Sequence, residues 1–368
     1  MIVCPSQGGT YMKKWLRHSL LIAAISLLFS VSAGAASLHV AQLDILKLPE
    51  LSATSTSFGG RLLLSDSPET PNEDGILYQD TVSGDVRLFL YHVNGTAVNK
   101  RFVVILENTD PDPAQITVYQ HGIGGPGLDY HAVGKAAQID YLSGDDIYLV
   151  EVPGKGKAHL SSVLTDMTVA PNALVNGIFD FKTDRPVVVK VMMVPVNADS
   201  KKFADQAKIL PADQHHLRGT FEGRDRMIIP NKVYNPTEDG PAVITLADNF
   251  TDVYLRGVDA TDGTPVVNYG NYGVVYKLFL PSDNGGKINY WLNPRGGEYA
   301  GWLGVKYQHK EISPTATPNG MITFGHNKLT DFSHIGVFDG GQSLWLTFSP
   351  PGASNLPVKI VIMPETSK

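Results

Sequence analysis

Two histidines and an aspartate, His121, Asp129 and His131, flank the glycine-rich stretch Gly122 to Gly127. Glycines let backbone amides approach a ligand, and imidazole with carboxylate supplies the nitrogen and oxygen donors that zinc or copper takes. The spacing matches no dedicated ligand motif such as H-E-x-x-H, so a metal at His121, Asp129 and His131 ranks below a purely structural turn. The loop sits between an expected strand and an expected helix, the setting of a phosphate cradle. It lacks a Gly-Lys-Ser/Thr ending and a following βαβ unit, so neither nucleotide-binding fingerprint is met. No resident cofactor is expected.

A second set of candidates is catalytic. Glu107 and Glu151 close the apolar runs RFVVILE and DIYLVEV. A half-buried carboxylate has a raised pKa, and two of them at the ends of neighbouring strands could hydrolyse a glycosidic bond, with His121 as a further acid or base. The alternative is that each glutamate marks a strand's exit into solvent. A G-x-S-x-G elbow, the best sequence mark of a serine hydrolase, is absent from the chain.

The third set is a binding surface. Lys287 to Asn293 and Glu298 to Lys306 flank Pro294-Arg295-Gly296-Gly297, and the spacing predicts a hairpin in which Trp291 faces Trp302. Asn289 and Asn293 share the tryptophans' face, and Arg295 stands in the turn. Sugar rings stack their C–H faces on aromatic rings while Asn, Arg and Lys bind the hydroxyls. Tyr269 and Tyr272, in the turn NYGNYG, extend the same surface. The competing reading places both tryptophans over a sheet core.

These residues need a scaffold, and the pattern is one of short strands. Apolar or alternating runs bounded by Gly, Pro, Asn and Asp recur about every ten residues, which predicts a mainly β chain. Asn94-Gly95 predicts a hairpin joining Val86–Val93 to Arg101–Glu107, and Gln115–Gln120 supplies a third strand. One helix is expected over 129–142, capped by Asp129 and carrying a largely apolar stripe. The polar segment 197–216 reads as a linker. The expected organisation is two β-sandwich modules, immunoglobulin-like or jelly-roll-like: 61–196 with the inserted helix, and 217–368, preceded by a lead-in segment at 36–60.

Lys13, Lys14 and Arg17, the apolar run Leu20–Leu28 and the small residues Ser32 to Ala36 form the three-part layout of a secretory signal peptide over 1–35, with Met12 as an alternative start. Export to the periplasm, cell surface or medium of a bacterium is expected. Cleavage removes Cys4, the chain's one cysteine, and with it any thiolate chemistry. It also removes three of 30 basic residues, leaving 27 against 36 acidic ones, a net −9. Basic residues form no run, which argues against nucleic acid as a partner.

The phrases SDSPE (65–69), GILYQD (75–80), YHVNGT (91–96), NYG with VVYK, and LNPRGG (292–297) resemble secreted proteins of spore-forming bacteria, some labelled copper-amine-oxidase-like. The resemblance implies export and a bacterial host, and no activity is carried over. The expected function is a non-catalytic protein of the cell envelope or medium that binds a glycan or wall polymer. The alternatives are a glycan-active or metal-assisted hydrolase, and a structural component of the envelope or spore surface.

Overall fold

The computed structural model describes residues 40–326 and 329–365; the expected signal peptide and Cys4 lie outside the described residues. Up to residue 222 the chain forms β1 (Ala53–Phe58), β2 (Arg61–Ser65), β3 (Gly75–Val93), β4 (Lys100–Glu107), β5 (Ala114–Gly127), β6 (Tyr148–Val152), β7 (Lys157–His159), β8 (Leu174–Pro195) and, beyond 197–216, β9 (Arg218–Glu222). Helices α1 (Tyr130–Ser143), α2 (Ser162–Asp166) and α3 (Ser200–Phe203) interrupt it. The second half forms β10 (Asp225–Pro230), β11 (Ala242–Leu246), β12 (Arg256–Val258), β13 (Pro265–Val267), β14 (Val275–Phe279) and β15 (Lys287–Pro294). It continues with β16 (Gly301–Tyr307), β17 (Lys310–Thr317), β18 (Ser333–Asp339), β19 (Leu344–Phe348) and β20 (Val358–Pro364). The fold is mainly β, as the strand pattern predicts, and of sandwich or jelly-roll-like character.

Three sheets result. One runs β1-β10-β14-β19-β16-β17, another β11-β20-β15-β18. Their inner faces, with Leu278, Leu303, Leu346, Ile244, Leu292 and Ile360 among them, share one buried cluster. The third sheet runs β13-β12-β9-β2-β3-β8-β4-β7, with β5 branching from β8 and carrying β6. Alternate residues of its long strands point to opposite faces. Phe89 and Tyr91 of β3 therefore enter the cluster shared with the other two sheets, while Leu88 and Leu90 enter a second core closed by β4, β5, β6 and β8.

The sheets do not divide at 197–216. β9, just after that segment, pairs with β2, and β1, well before it, pairs with β10. Each half lends strands to a sheet of the other, so the two modules interlock through their edges.

The organising strand is β8, 22 residues long. β3 pairs along its length on one side; β5 and then β4 pair on the other. This differs from the hairpin expected at Asn94-Gly95, since β3 and β4 flank β8 instead of pairing with each other. The Asn94 side chain donates to Val98 O (2.8 Å) and Val169 O (2.9 Å), which fastens the turn to the chain entering β8.

The glycine-rich stretch also differs from expectation. Gly122 to Gly127 forms the second half of strand β5, not a loop, and pairs with β8. Helix α1 crosses directly over it. A Cβ on Gly122 would lie 2.3 Å from Tyr141 N, and one on Gly124 would lie 2.0 Å from Val133 O. The glycines serve close helix-on-strand packing. On the helix's other side a Cβ on Gly134 would lie 2.0 Å from Gly352 O, so α1 is wedged between the two halves. Asp129 caps it, accepting from Ala132 N at 3.0 Å, as expected.

One buried histidine belongs to this frame. His92 is fully buried, with Nε2 2.8 Å from Ser65 Oγ and Nδ1 3.0 Å from Pro68 O. Burial pushes its pKa down to about 4.

Three outcomes are expected. Gly124→Ala forces α1 off β5 and lowers stability in urea by on the order of 2 kcal/mol. Gly84→Ala, where no atom lies within 4 Å of the added Cβ but φ is +77°, costs about 1 kcal/mol. For His92 the folded pKa lies below the unfolded value of 6.5, so the unfolded chain takes up the proton first as pH falls. Stability should drop by about 3 kcal/mol between pH 6.5 and 4. In His92→Gln, urea titrations across that window should show a correspondingly flatter profile.

Candidate functional site

A cleft of about 640 Å³ opens at the edge strand β6, bounded by α2, the end of β7 and residues 198–201. Arg101, on β4, holds its two walls. Its Nη1 donates to Thr165 O (3.2 Å) and its Nη2 to Ala198 O (2.6 Å), while Nε has no partner among the described residues. Ser161 caps α2 by accepting from Leu164 N (3.2 Å), and Asp199 caps α3 by accepting from Lys202 N (3.3 Å). Short helices capped in this way place the exposed Ser162 and Asp166 on the rim and the buried Ser200 in its wall.

Across the cleft, His159 Nε2 lies 2.7 Å from Ser200 Oγ. Burial holds the His159 pKa below its ordinary value; Lys201 and Arg101 act in the same sense, and Asp166 and Asp199 oppose. A neutral imidazole can accept the serine proton, the first requirement of a nucleophile and base pair. Among the described hydrogen bonds no carboxylate orients the other ring nitrogen, so the third member of a triad is missing.

The apolar side of the cleft is β6. Tyr148 donates its hydroxyl to Leu160 O (3.0 Å), and its ring packs on His121 at 5.4 Å between centroids. Leu149, on the opposite pleat, is 70 % exposed. His121 also meets the edge of Phe179 at 6.1 Å. It is therefore an aromatic buttress behind Tyr148.

The other expected metal ligands point elsewhere. Asp129 is spent on capping α1, and His131 Nε2 lies 3.8 Å from Glu298, which pairs with His326 Nδ1 at 2.9 Å. His121, Asp129 and His131 do not converge. Among the described residues the one group of three with metal-like closeness is His216, Asp259 and Asp262. There Asp259 already accepts from Arg218 Nε (2.6 Å), His216 Nε2 (2.9 Å) and Thr261, so protein donors occupy its lone pairs.

The expected carboxylate pair also separates. Glu107, on β4 next to β7 and β8, pairs with the Lys190 ammonium at 2.6 Å, whereas Glu151 lies exposed on β6 and accepts from Gln115 at 2.9 Å. The two strands are not neighbours, because β6 pairs only with β5.

The tryptophan platform is corrected as well. β15 pairs with β18 and β20, and β16 with β17 and β19, so Trp291 and Trp302 stand in different sheets. Arg295 N and Gly296 N both donate to Pro357 O (2.9 and 3.1 Å), which turns the chain away from a hairpin. Trp291 is 3 % exposed, clustered with Val40 and Ile45, and packs at a tilt on His334 with centroids 4.4 Å apart. Asn289 and Asn293 are buried beside it. Trp302 is half-buried, 5.9 Å from the Lys135 ammonium. Tyr269 is exposed, but Tyr272 donates to Ser354 O (2.7 Å), and the Asn268 and Asn271 side chains brace the turn.

Cleft residues such as Ser200 and His159 were not among the sequence candidates. They lie 41 positions apart, with no motif joining them. Because Trp291 is core, Trp291→Ala should destabilise the protein by about 3 to 5 kcal/mol in urea unfolding, and Trp302→Ala by clearly less.

No family model matches the chain, and no curated protein matches it. Among solved structures, tripeptidyl peptidase 2 aligns over 82 % of this chain at 9 % identity and a TM-score of 0.21. The chain spans 24 % of that protein's length. The CUB1-EGF-CUB2 domain of human MASP-1/3 aligns over 85 % of this chain and 99 % of its own, at 10 % identity and a TM-score of 0.20. Salicylate 1,2-dioxygenase from Pseudoaminobacter salicylatoxidans aligns over 98 % and 95 %, at 9 % identity and a TM-score of 0.13. Likenesses at this level assign neither fold family nor function.

Proposed function

We propose that this is an exported, non-catalytic bacterial binding protein, and that it takes a glycan or wall polymer in the cleft between β6 and residues 198–201. The observation that carries the reading is the make-up of that cleft. Exposed Ser162 and Asp166 present a donor and acceptors beside the His159–Ser200 pair, with Tyr148 and Leu149 as an apolar wall. Sugars offer the complementary surface, hydroxyls that both donate and accept around an apolar C–H face.

Isothermal titration of soluble polysaccharides and wall fragments against the wild type and Asp166→Ala tests it. The variant should bind at least tenfold more weakly at unchanged melting temperature. Equal binding by both, or no binding to any glycan, defeats the reading.

The short contact between His159 and Ser200 favours a second reading, a glycan-ester or glycan hydrolase using the same cleft. Ser200→Ala separates the two. A hydrolase releases product that the variant does not, whereas a binder shows no turnover in either protein.

A further inference from the structure

On the face of β3 that carries Phe89 and Tyr91 lies a smaller pocket of about 170 Å³, lined by Asp66, Glu69, Phe89, Tyr91, Tyr272 and Asn355 among others. At ~30 Å³ per water-sized group it holds roughly five such groups. Asp66 is 8 % exposed, and its Oδ1 has no hydrogen-bond partner among the described residues. Its backbone is fixed, with N donating to Leu217 O at 3.0 Å. The lining includes no Lys, Arg or His. Burial pushes the Asp66 carboxyl well above the usual carboxylate range, and Glu69 and Asp213 act in the same direction.

Elsewhere this fold satisfies its buried carboxylates. Asp180, Asp252 and Asp259 each receive an arginine. An unpaired buried carboxyl is costly, and the absent partner here is a positively charged donor. The walls say what kind. The rings of Phe89 and Tyr272 stand 6.3 Å apart, tilted by 37°, and Tyr272's hydroxyl is committed to Ser354 O, so the pocket wall is largely aromatic. Aromatic faces attract organic cations and pack alkyl groups. A bare divalent ion would need several oxygens close together, and Asp66 and Glu69 are not part of any such group.

We propose that this pocket binds a primary alkylammonium group, which donates to the unpartnered Asp66 carboxylate and lays its carbon chain against Phe89 and Tyr272. The ammonium replaces the missing cation, and Glu69 at the rim adds a second negative charge. This site is independent of the cleft and of any ligand bound there.

The test is titration calorimetry of the full mature chain with n-butylammonium, with Nα-acetyl-lysine methylamide as the peptide-borne form of the same group, and with n-butanol and calcium alone as controls. Both amines should bind at one site, and butanol should not. Asp66→Asn, which keeps the volume, should weaken amine binding at least tenfold, and Tyr272→Leu several-fold, with melting curves confirming that both variants are folded. Tighter binding of butylammonium assigns the pocket to a free amine; tighter binding of the lysine derivative assigns it to a side chain. Equal amine binding by wild type and Asp66→Asn, no amine binding at 10 mM concentration or on the order of it, or calcium binding that depends on Asp66 would each overturn the proposal.

Discussion

Arg87 is the point on which the two halves of the molecule are hung. It is 2 % exposed on β3, and Asp180 of β8 grips it with both oxygens, at 2.6 and 2.7 Å. Its remaining donors reach Asp225 Oδ1 (2.8 Å) and Arg224 O (2.9 Å) at the start of β10, Gly273 O (3.2 Å) ahead of β14, and the Tyr141 hydroxyl of α1 (3.0 Å). Tyr141 in turn donates to Asp180 at 3.0 Å. One guanidinium thus spans two sheets and the helix between them. A buried ion pair adds little net stability over an apolar replacement, but losing one partner strands a charge at a cost of about 3 to 5 kcal/mol. Its value here is positional, because its donors are satisfied together only while α1, β8 and the start of β10 stay around it.

That constraint explains the glycines. With Tyr141 held against Arg87 and Asp180, α1 must lie close over β5, and any side chain at Gly122 or Gly124 would meet helix backbone. The same closeness brings Gln138 of the helix to Ser349 O (2.6 Å) and to Trp302 N (2.5 Å) in the second half. On the outer side of β5, His121 lies between Phe179 and Tyr148. The cleft's aromatic wall is therefore braced by the strand that the helix clamps, and a site at the sheet edge rests on a rigid support.

Local features were legible in the sequence and long-range ones were not. Strand positions followed from alternating apolar runs, and the helix from Asp129 and the mostly apolar stripe Val133, Ala136, Ala137, Asp140 and Tyr141, because both depend on neighbours within a few residues. Pairing depends on competition with distant strands. Asn94-Gly95 is a strong hairpin signal, yet β8 offers both β3 and β4 a longer partner, and the turn is bonded to Val169 instead. The tryptophan hairpin failed for a similar reason, since Pro357 O captures the two amides after Pro294 and sends the chain to another sheet. The candidate site was still less visible. Residues 197–216 read as a polar linker, but Ser200 gains meaning only beside His159, and Asp66 only once Phe89, Tyr91 and Tyr272 surround it.

Arg87, Phe89 and Tyr91 stand on one face of β3, two residues apart, and so pass from one electrostatic extreme to the other within three pleats. At Arg87 every charge has a counter-charge, supplied by Asp180 and Asp225 across two strands. At Phe89 and Tyr91 the neighbouring charges are Asp66 and Glu69, and the walls are aromatic. The difference is not one of available chemistry, since the chain pairs Arg218 with Asp259 and Arg226 with Asp252 in equally buried places. A fold that neutralises three buried carboxylates with arginine leaves a fourth carboxyl without a partner at one small opening. An uncompensated carboxyl there lowers stability, and the arrangement becomes physically reasonable when a cation from outside completes it.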